Sequence, residues 1–240
     1  MVIGHAAAIR IFVSPLAAGE LTIRGEEHHY VMRVRRSRIG DAVELVDGEG
    51  HRAAATITKI TDSETTLTVA IPETIPAPLP FIRVLVPLIK GDRMDTCLEK
   101  LVEVGVDAIV VWPAARSVVK LEPERRDARI AKYQAALQAA SRQSGRAQVP
   151  TVAWASDLTS ALKALPPGSR FVLDPTSDQP LAVDDASTDI TIISGPEGGL
   201  AASELDALLG FSAIGLGPRV LRAETAPVIA VALVRAATRS

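Results

Sequence analysis

The first third of the chain alternates apolar and polar residues in short runs, as strands half-buried in a sheet do. Runs of this kind over 10–13, 42–46, 52–60 and 65–71 predict short β-strands. Asp47-Gly48-Glu49-Gly50 follows the second run and is a turn signal. Several short strands separated by regular turns favour a small β-barrel for this part of the chain.

A cluster of prolines separates this part from the rest. Pro72, Pro76, Pro78 and Pro80 lie close together. Prolines at that density stiffen a linker and cannot continue a sheet, because each lacks a backbone N–H donor. We therefore predict a boundary near 73–79, with one domain over 1–73 and a second over 80–240.

The second part combines long apolar runs with helical periodicity. The run 81–88 is almost continuously apolar, which is typical of a parallel strand buried on both faces. A helix with one apolar stripe begins at Asp92, Gly105 stands at its C-cap, and a strand over 107–112 follows. This βαβ order predicts a parallel sheet and an α/β fold class. Further strands are predicted over 170–173, 190–194 and 212–216, and further helices over 128–143, 203–209 and 225–237.

Composition narrows the class of protein. Hydrophobic residues make up 48% of the chain and aromatic residues only 3%, so aliphatic side chains must fill the core. The single cysteine, Cys97, excludes an intrachain disulfide and a thiolate zinc cluster. The sequence has no run of about 18 uncharged apolar residues, and residues 1–11 lack the pattern of a signal peptide. We therefore expect a cytoplasmic protein.

The net charge of −2 does not by itself indicate a nucleic-acid-binding protein. Local charge is more informative, because Arg33, Arg35, Arg36 and Arg38 are closely spaced. Such a run is either a solvated face or a phosphate-binding surface, and the run taken alone does not decide between them.

Three segments that follow predicted strands carry the candidate chemistry. They span 87–93, 194–199 and 216–226, and ligands of α/β proteins bind at the carboxyl ends of parallel strands. The sequence has neither a G-x-x-x-x-G-K-[ST] nor a G-x-G-x-x-G pattern, which argues against a nucleoside triphosphatase and a dinucleotide oxidoreductase. The glycines of 194–199 allow close backbone approach to a ligand such as adenosine, although an ordinary tight turn would use the same residues.

Other residues with chemical potential are assigned to packing. His28 and His29 could ligate a metal, but no further ligands stand at useful spacing, so no metal site is predicted. Cys97 lies on the apolar stripe of its helix, and Trp112 ends a buried strand. Both are therefore expected in the core.

Several motifs, taken in order, resemble those of one known family. They are Arg10-Ile11-Phe12-Val13, Gly25-Glu26-Glu27-His28-His29, Val34-Arg35-Arg36, Lys90-Gly91-Asp92-Arg93, Gln143-Ser144-Gly145-Arg146, Gly195-Pro196-Glu197-Gly198-Gly199 and Leu216-Gly217-Pro218-Arg219-Val220-Leu221-Arg222-Ala223-Glu224-Thr225-Ala226. The last two are the most specific. From Arg10 to the C-terminus the chain resembles the RsmE-type 16S ribosomal RNA (uracil-N3)-methyltransferases of the SPOUT superfamily.

The resemblance implies an N-terminal PUA-like β-barrel that helps to bind RNA and a C-terminal SPOUT α/β domain with a deep trefoil knot. It implies S-adenosyl-L-methionine as cofactor, held by the knot loops at a homodimer interface. The implied reaction is methylation of N3 of a specific uridine in 16S rRNA of the small ribosomal subunit. The cofactor-binding residues would be Leu88, Ser194, Gly195, Pro196, Glu197, Gly198, Gly199, Leu216, Gly217, Val220, Leu221, Arg222, Ala223, Thr225 and Ala226.

Methylation of uracil N3 requires that its proton be removed or that the anion be stabilised. The catalytic candidates are Arg222, Glu197, Arg93 and Arg146, and no general base is identified. The RNA-binding candidates are Arg10, Arg33, Arg35, Arg36, Arg38, Lys90, Arg93, Arg116 and Arg146.

Two positions depart from the family pattern, and two alternative functions stay open. Ala201 replaces the usual serine of a capping box with Glu204, a loss of about 1 kcal/mol of helix stability by typical cap values. Arg35 stands where the family often has an aliphatic residue. The alternatives are a related SPOUT enzyme that methylates a ribose 2′-hydroxyl, and a non-catalytic RNA-binding or ribosome-assembly factor that kept the fold.

Overall fold

The computed structural model describes residues 9–117, 119, 121–184 and 186–238, which divide into two compact units. The first unit contains the described residues up to Ala77 together with Ser141–Val149. The second contains Pro78–Ala140 and the described residues from Pro150 on. The predicted domain over 80–240 included Ser141–Val149, so the structure places this segment differently. Residues 1–8 and 239–240, which the two predicted domains include, lie outside the described residues.

The first unit is built on a mixed sheet. Its strands are β1 (Arg10–Phe12), β2 (Gly19–Arg24), β3 (Ala42–Val46), β4 (His51–Ile60), β5 (Glu64–Val69) and β6 (Glu73–Thr74). The hydrogen-bonded path is β1-β3-β4-β5-β2, and β6 pairs with β4. β1 is parallel to β3, and the other neighbours are antiparallel. Alternation along the strands buries Val43, Leu45 and Ile57 in the core of this unit.

A helical segment between β2 and β3 was not predicted from the sequence. α1 (Gly25–His29) continues into a π-helix over Tyr30–Val34. The segment is too short and too polar for a helical period to stand out, and π-helical turns are rare and frequently lie at functional sites. His28 is buried, with Nδ1 2.8 Å from Thr65 Oγ1, which confirms its packing role.

Specific contacts hold Ser141–Val149 on the first unit. Arg142 forms an ion pair with Glu27, and its guanidinium lies 5.5 Å from the ring centre of Phe12 and 5.4 Å from that of Tyr30. Burial raises the pKa of the Glu27 carboxyl above its ordinary value, and the charge of Arg142 acts in the opposite direction. These partners are distant in sequence, so no local pattern predicts the docking.

The second unit is an all-parallel sheet with helices in its connections. Its strands are β7 (Phe81–Pro87), β8 (Ala108–Trp112), β9 (Thr151–Trp154), β10 (Ser169–Leu173), β11 (Asp189–Ile193) and β12 (Ser212–Ile214). Its helices are α2 (Asp92–Val104), α3 (Arg126–Ser144), α4 (Leu158–Lys163), α5 (Ala202–Ala207) and α6 (Ala226–Ala237). The last residues of α3, from Ser141, group with the first unit. The α/β class and the parallel sheet are confirmed, whereas β9 and α4 were not predicted.

The strand order β12-β10-β11-β7-β8-β9 creates a topological switch point between β7 and β11. The later strands β8 and β9 lie on one side of β7, while β11, β10 and β12 lie on the other. Because the strands are parallel, the loops after β7, β8, β11 and β12 leave the sheet at the same edge. This edge is where a ligand is expected.

The helix α2 matches its sequence pattern closely. Its apolar stripe is fully buried and consists of Met94, Cys97, Leu98, Leu101 and Val102. Gly105 has φ of 101°, in the left-handed region, and its N–H donates to the carbonyl of Leu101 at 3.2 Å. No helix in the described part of the chain combines the length and apolarity needed to cross a bilayer.

Candidate functional site

The loop after β11 is a tight turn at the switch point. Ser194 is fully buried, and its N–H donates to the carbonyl of Leu85 in β7 at 3.1 Å. The N–H of Gly199 donates to Pro196 O at 2.9 Å, and Gly199 has φ of 71°, which glycine adopts readily. The hydroxyl oxygen of Ser194 has no hydrogen-bond partner among the described residues. A buried hydroxyl in this state is available to a bound ligand.

Three of the four predicted catalytic side chains meet in a charge cluster. Arg93 Nη1 lies 2.7 Å from Glu197 Oε1 and 3.8 Å from Glu224 Oε2. Arg222 Nη1 lies 3.9 Å from Glu224 Oε1. The side chain of Glu224 is 11% exposed, whereas that of Arg222 is 79% exposed. Glu224 therefore lies between two arginines, a role that its place in a motif did not reveal.

Cys97 is a core residue, as predicted. Its side chain is fully buried in α2. Burial raises the pKa of the Cys97 thiol to about 12, and the nearby charge of Glu224 acts in the same direction. The thiol therefore stays neutral and is not a nucleophile at physiological pH.

The segment 216–226 is partly buried and partly open. Gly217 has φ of 103°, and the side chain of Val220 is 81% exposed. Ala223 is buried, and the carbonyl of Arg222 accepts from the N–H of Thr225 at 2.9 Å at the entrance to α6. The segment thus presents both backbone and side chains at the edge where the loops meet.

A fourth loop, over 113–117 after β8, was not identified from the sequence. Arg116 Nη1 donates to the carbonyl oxygen of Gly198 at 3.1 Å. Ser117 Oγ donates to the carbonyl oxygen of Leu88 at 3.4 Å. Arg116 was predicted to bind RNA, and the structure places its guanidinium on the glycine loop instead. Its position at a strand end was the one signal that could have suggested this.

The carboxylate of Glu204 links two of these loops. One oxygen accepts from the N–H of Ala201 at 2.7 Å, which is the half of a capping box that does not need a serine. The other oxygen accepts from the N–H of Ala115 at 2.7 Å. Because an alanine side chain has no acceptor, the reciprocal cap bond is absent, as the substitution at Ala201 predicts.

The predicted RNA-binding arginines of the first unit fall into two groups. Arg10 is ion-paired with Glu44, and its side chain is only 17% exposed. The others are exposed on and just after the π-helix: Arg33, Arg35, Arg36 and Arg38. Arg36 has φ of 53°, an uncommon conformation for a residue other than glycine.

The remaining predicted residues lie in both units. Arg146 belongs to Ser141–Val149 of the first unit, whereas Arg93, Glu197 and Arg222 belong to the second. Lys90 is exposed in the loop before α2. Within the described ranges, His, Cys, Asp and Glu side chains form no group of three that could hold a metal ion.

Comparisons with known proteins define the class of this chain. A model of an RNA methyltransferase domain matches residues 76–235, and a model of an RNA methyltransferase PUA domain matches residues 23–69. The two units therefore correspond to an RNA methyltransferase that carries a PUA domain.

The relatives identify the family within that class. Ribosomal RNA small subunit methyltransferase E of Mycobacterium tuberculosis is 30% identical over 88% of this chain and 84% of its own. The protein of the same name from Bacillus subtilis is 27% identical over 90% of each chain. The chain belongs to the ribosomal RNA small subunit methyltransferase E family. The crystal structure of the Neisseria gonorrhoeae member, bound to S-adenosyl methionine, has a TM-score of 0.84 and 29% identity, covering 96% of this chain and 98% of that one.

Proposed function

We propose that this chain transfers the methyl group of S-adenosyl-L-methionine to N3 of a specific uridine in 16S rRNA of the small ribosomal subunit. The observation that carries the proposal is the meeting of the glycine loop 194–199 with Arg93, Glu224 and Arg222 at the switch point of a parallel sheet. The relatives named for small-subunit rRNA methylation support the substrate, and the cofactor-bound neighbour supports the cofactor.

The residues present suit this cofactor. Adenosine and a methionine tail can be bound largely by backbone groups, and the loop 194–199 offers glycine backbone and the unpartnered hydroxyl of Ser194. When bound, the cofactor supplies a methyl group already activated by its sulfonium. The loop 216–226 and Leu88 would complete the pocket.

The residues of the charge cluster would act on the uracil. N3 loses its proton, its lone pair forms a bond to the methyl carbon, and the methyl–sulfur bond breaks with its electron pair on sulfur. The guanidinium groups of Arg222 and Arg93 would stabilise the uracil anion that precedes attack. The buried carboxylate of Glu224 lies near both guanidinium groups and would hold them in place. Glu197 restrains Arg93 from the glycine loop.

We propose a homodimer and a deep trefoil knot for the second unit. On α6, Ile229 and Leu233 are 38% and 45% exposed and lie on one helix face, which favours burial against a second copy. For the knot, β12 is the edge strand, yet α6 packs against α2, β7 and β11. The chain between β12 and α6 must therefore pass back across β10 and β11, as a knotted connection would.

We propose that the first unit binds rRNA through Arg33, Arg35, Arg36 and Arg38. These side chains are exposed, and guanidinium groups pair well with phosphates. Arg10 is left out of this surface because Glu44 already occupies it. A PUA-like curled sheet and a cytoplasmic location, where ribosomes assemble, complete the proposal.

Nucleoside mass spectrometry of 16S rRNA tests the function. In a strain lacking the gene, 3-methyluridine should disappear from 16S rRNA and return with the wild-type gene but not with Arg222→Ala. A change in a 2′-O-methylated nucleoside would instead identify the ribose alternative. Unchanged rRNA, with RNA binding retained by the purified protein, would identify a non-catalytic factor.

A further inference from the structure

We propose that Arg116 is a positioning residue for the cofactor, which holds the glycine loop 194–199 in its ligand-binding form. The inference rests on the proposed S-adenosyl-L-methionine site and adds a residue to it. Arg116 lies in the loop after β8, outside the three segments to which the sequence assigns chemistry.

Arg116 packs closely on the glycine loop. Its Nη1 donates to the carbonyl oxygen of Gly198 at 3.1 Å. A methyl group added to Gly198 would lie 3.1 Å from Arg116 Cβ and 3.4 Å from Arg116 O, and one added to Gly199 would lie 3.8 Å from Arg116 Nη1. Gly198 is therefore needed for the approach of Arg116, and the two residues fix each other.

The loop that carries Arg116 is itself anchored on both sides. The carboxylate of Glu204 accepts from the N–H groups of Ala115 and Ala201, each at 2.7 Å, and so joins the residue before Arg116 to the far end of the glycine turn. Hydrogen bonds to an ionised carboxylate are among the stronger ones in proteins. Ser117 Oγ donates to Leu88 O at 3.4 Å, which connects the same loop to the end of β7. The loop over 113–117 therefore spaces the loops proposed to hold the cofactor.

The alternative role for an exposed arginine in this family is phosphate binding, and the two roles predict different measurements. A phosphate contact would change RNA affinity and its dependence on salt. A positioning role would change cofactor affinity, because a loop that must be ordered on binding lowers the apparent affinity. The contact of Arg116 with a backbone carbonyl, and not with solvent alone, favours positioning.

The experiment compares Arg116→Gln, Arg116→Lys and the control Arg125→Gln, an exposed arginine away from these loops. Cofactor affinity is measured by calorimetry, RNA affinity by filter binding, and thermal stability by melting. For Arg116→Gln we expect the Kd and KM for the cofactor to rise about tenfold, the size of one lost charge-assisted hydrogen bond. RNA affinity, kcat and melting temperature should stay near wild type. Arg116→Lys should restore part of the affinity, and Arg125→Gln should change none of these values.

Two outcomes would overturn the proposal. One is weakened RNA binding with unchanged cofactor affinity in Arg116→Gln, and the other is wild-type values for both ligands. If Arg116→Gln melts too early to be titrated, Arg116→Lys and Glu204→Gln take its place, and unchanged cofactor affinity in both folded variants again rejects the role. Failure of the wild-type protein to bind the cofactor would instead reject the proposed function on which this inference rests.

Discussion

Arg235 in α6 and Asp107, just before β8, form an ion pair whose side chains are 13% and 7% exposed. Arg235 also donates through Nη1 to the carbonyl oxygen of Pro80 at 2.7 Å and through Nη2 to that of Gly105 at 2.7 Å. One guanidinium thus ties the C-terminal helix to the entrances of β7 and β8. Because α6 directly follows the segment 216–226, this anchor also fixes one end of the proposed cofactor site.

Replacing this anchor should cost a large part of the stability of the fold. Arg235→Met leaves the carboxylate of Asp107 buried without its charged partner, and breaking a buried pair typically costs about 3–5 kcal/mol. Urea unfolding of the variant should show a loss of this size, while Arg125→Met, at an exposed site, should stay close to wild type. A loss below about 1 kcal/mol in Arg235→Met would mean that the pair contributes little.

Gly198→Val should abolish cofactor binding in a folded protein. The new Cβ would lie 3.1 Å from that of Arg116, so the glycine loop must shift away from its present form. Gly210→Ala is a suitable control, because Gly210 has φ of 93° and no atom within 4 Å of an added methyl group, so it tests backbone strain away from the loop. Calorimetry should detect cofactor binding in the control alone. Wild-type affinity in Gly198→Val would remove 194–199 from the site.

Leu233→Arg should convert the proposed dimer to a monomer. The side chain of Leu233 is 45% exposed on α6 next to Ile229, and a buried arginine without a partner would oppose association. Ile71→Arg is the matched control, because Ile71 is 84% exposed and lies in the first unit. Light scattering at micromolar concentration should give a dimer for wild type and the control. A monomeric wild type would contradict the proposed dimer directly.

Arg36→Ala with Arg38→Ala should weaken rRNA binding and flatten its salt dependence. Each lost phosphate contact releases fewer counterions and lowers the slope of log affinity against log salt by about 0.7–0.9. Cofactor affinity should be unchanged, because the cofactor loops belong to the second unit. Lys59→Ala removes an exposed cation from β4 and controls for net charge. Equal slopes and equal affinities in wild type and the double variant would assign these arginines to a solvated face.

Cys97 should be inert to thiol reagents in the folded protein. Its thiol is buried and its pKa is raised to about 12, so at pH 8 almost none is present as the reactive thiolate. Reaction with an aromatic disulfide reagent should be negligible in buffer and should reach one thiol per chain in urea, since Cys97 is the single cysteine. Rapid reaction without urea would show that α2 opens readily.

The sequence by itself determined the features that depend on near neighbours along the chain. The apolar stripe of α2, the left-handed C-cap at Gly105 and the βαβ order follow from helical period, glycine conformation and strand composition. The loops 194–199 and 216–226 were also found this way, because a loop after a parallel strand is at the ligand-binding edge whatever the strand order. The helical segment after β2 was missed because two short turns carry too little periodicity.

The tertiary structure alone decided which distant residues meet. Arg142 reaches Glu27, Arg116 reaches Gly198, and the carboxylate of Glu204 reaches Ala115, each across a large separation in sequence. Local pattern cannot encode such pairs, because the energy of an ion pair or hydrogen bond depends on burial and geometry that exist only after the sheet has formed. For the same reason Glu224 became the centre of the charge cluster, although its sequence position distinguished it from no other glutamate.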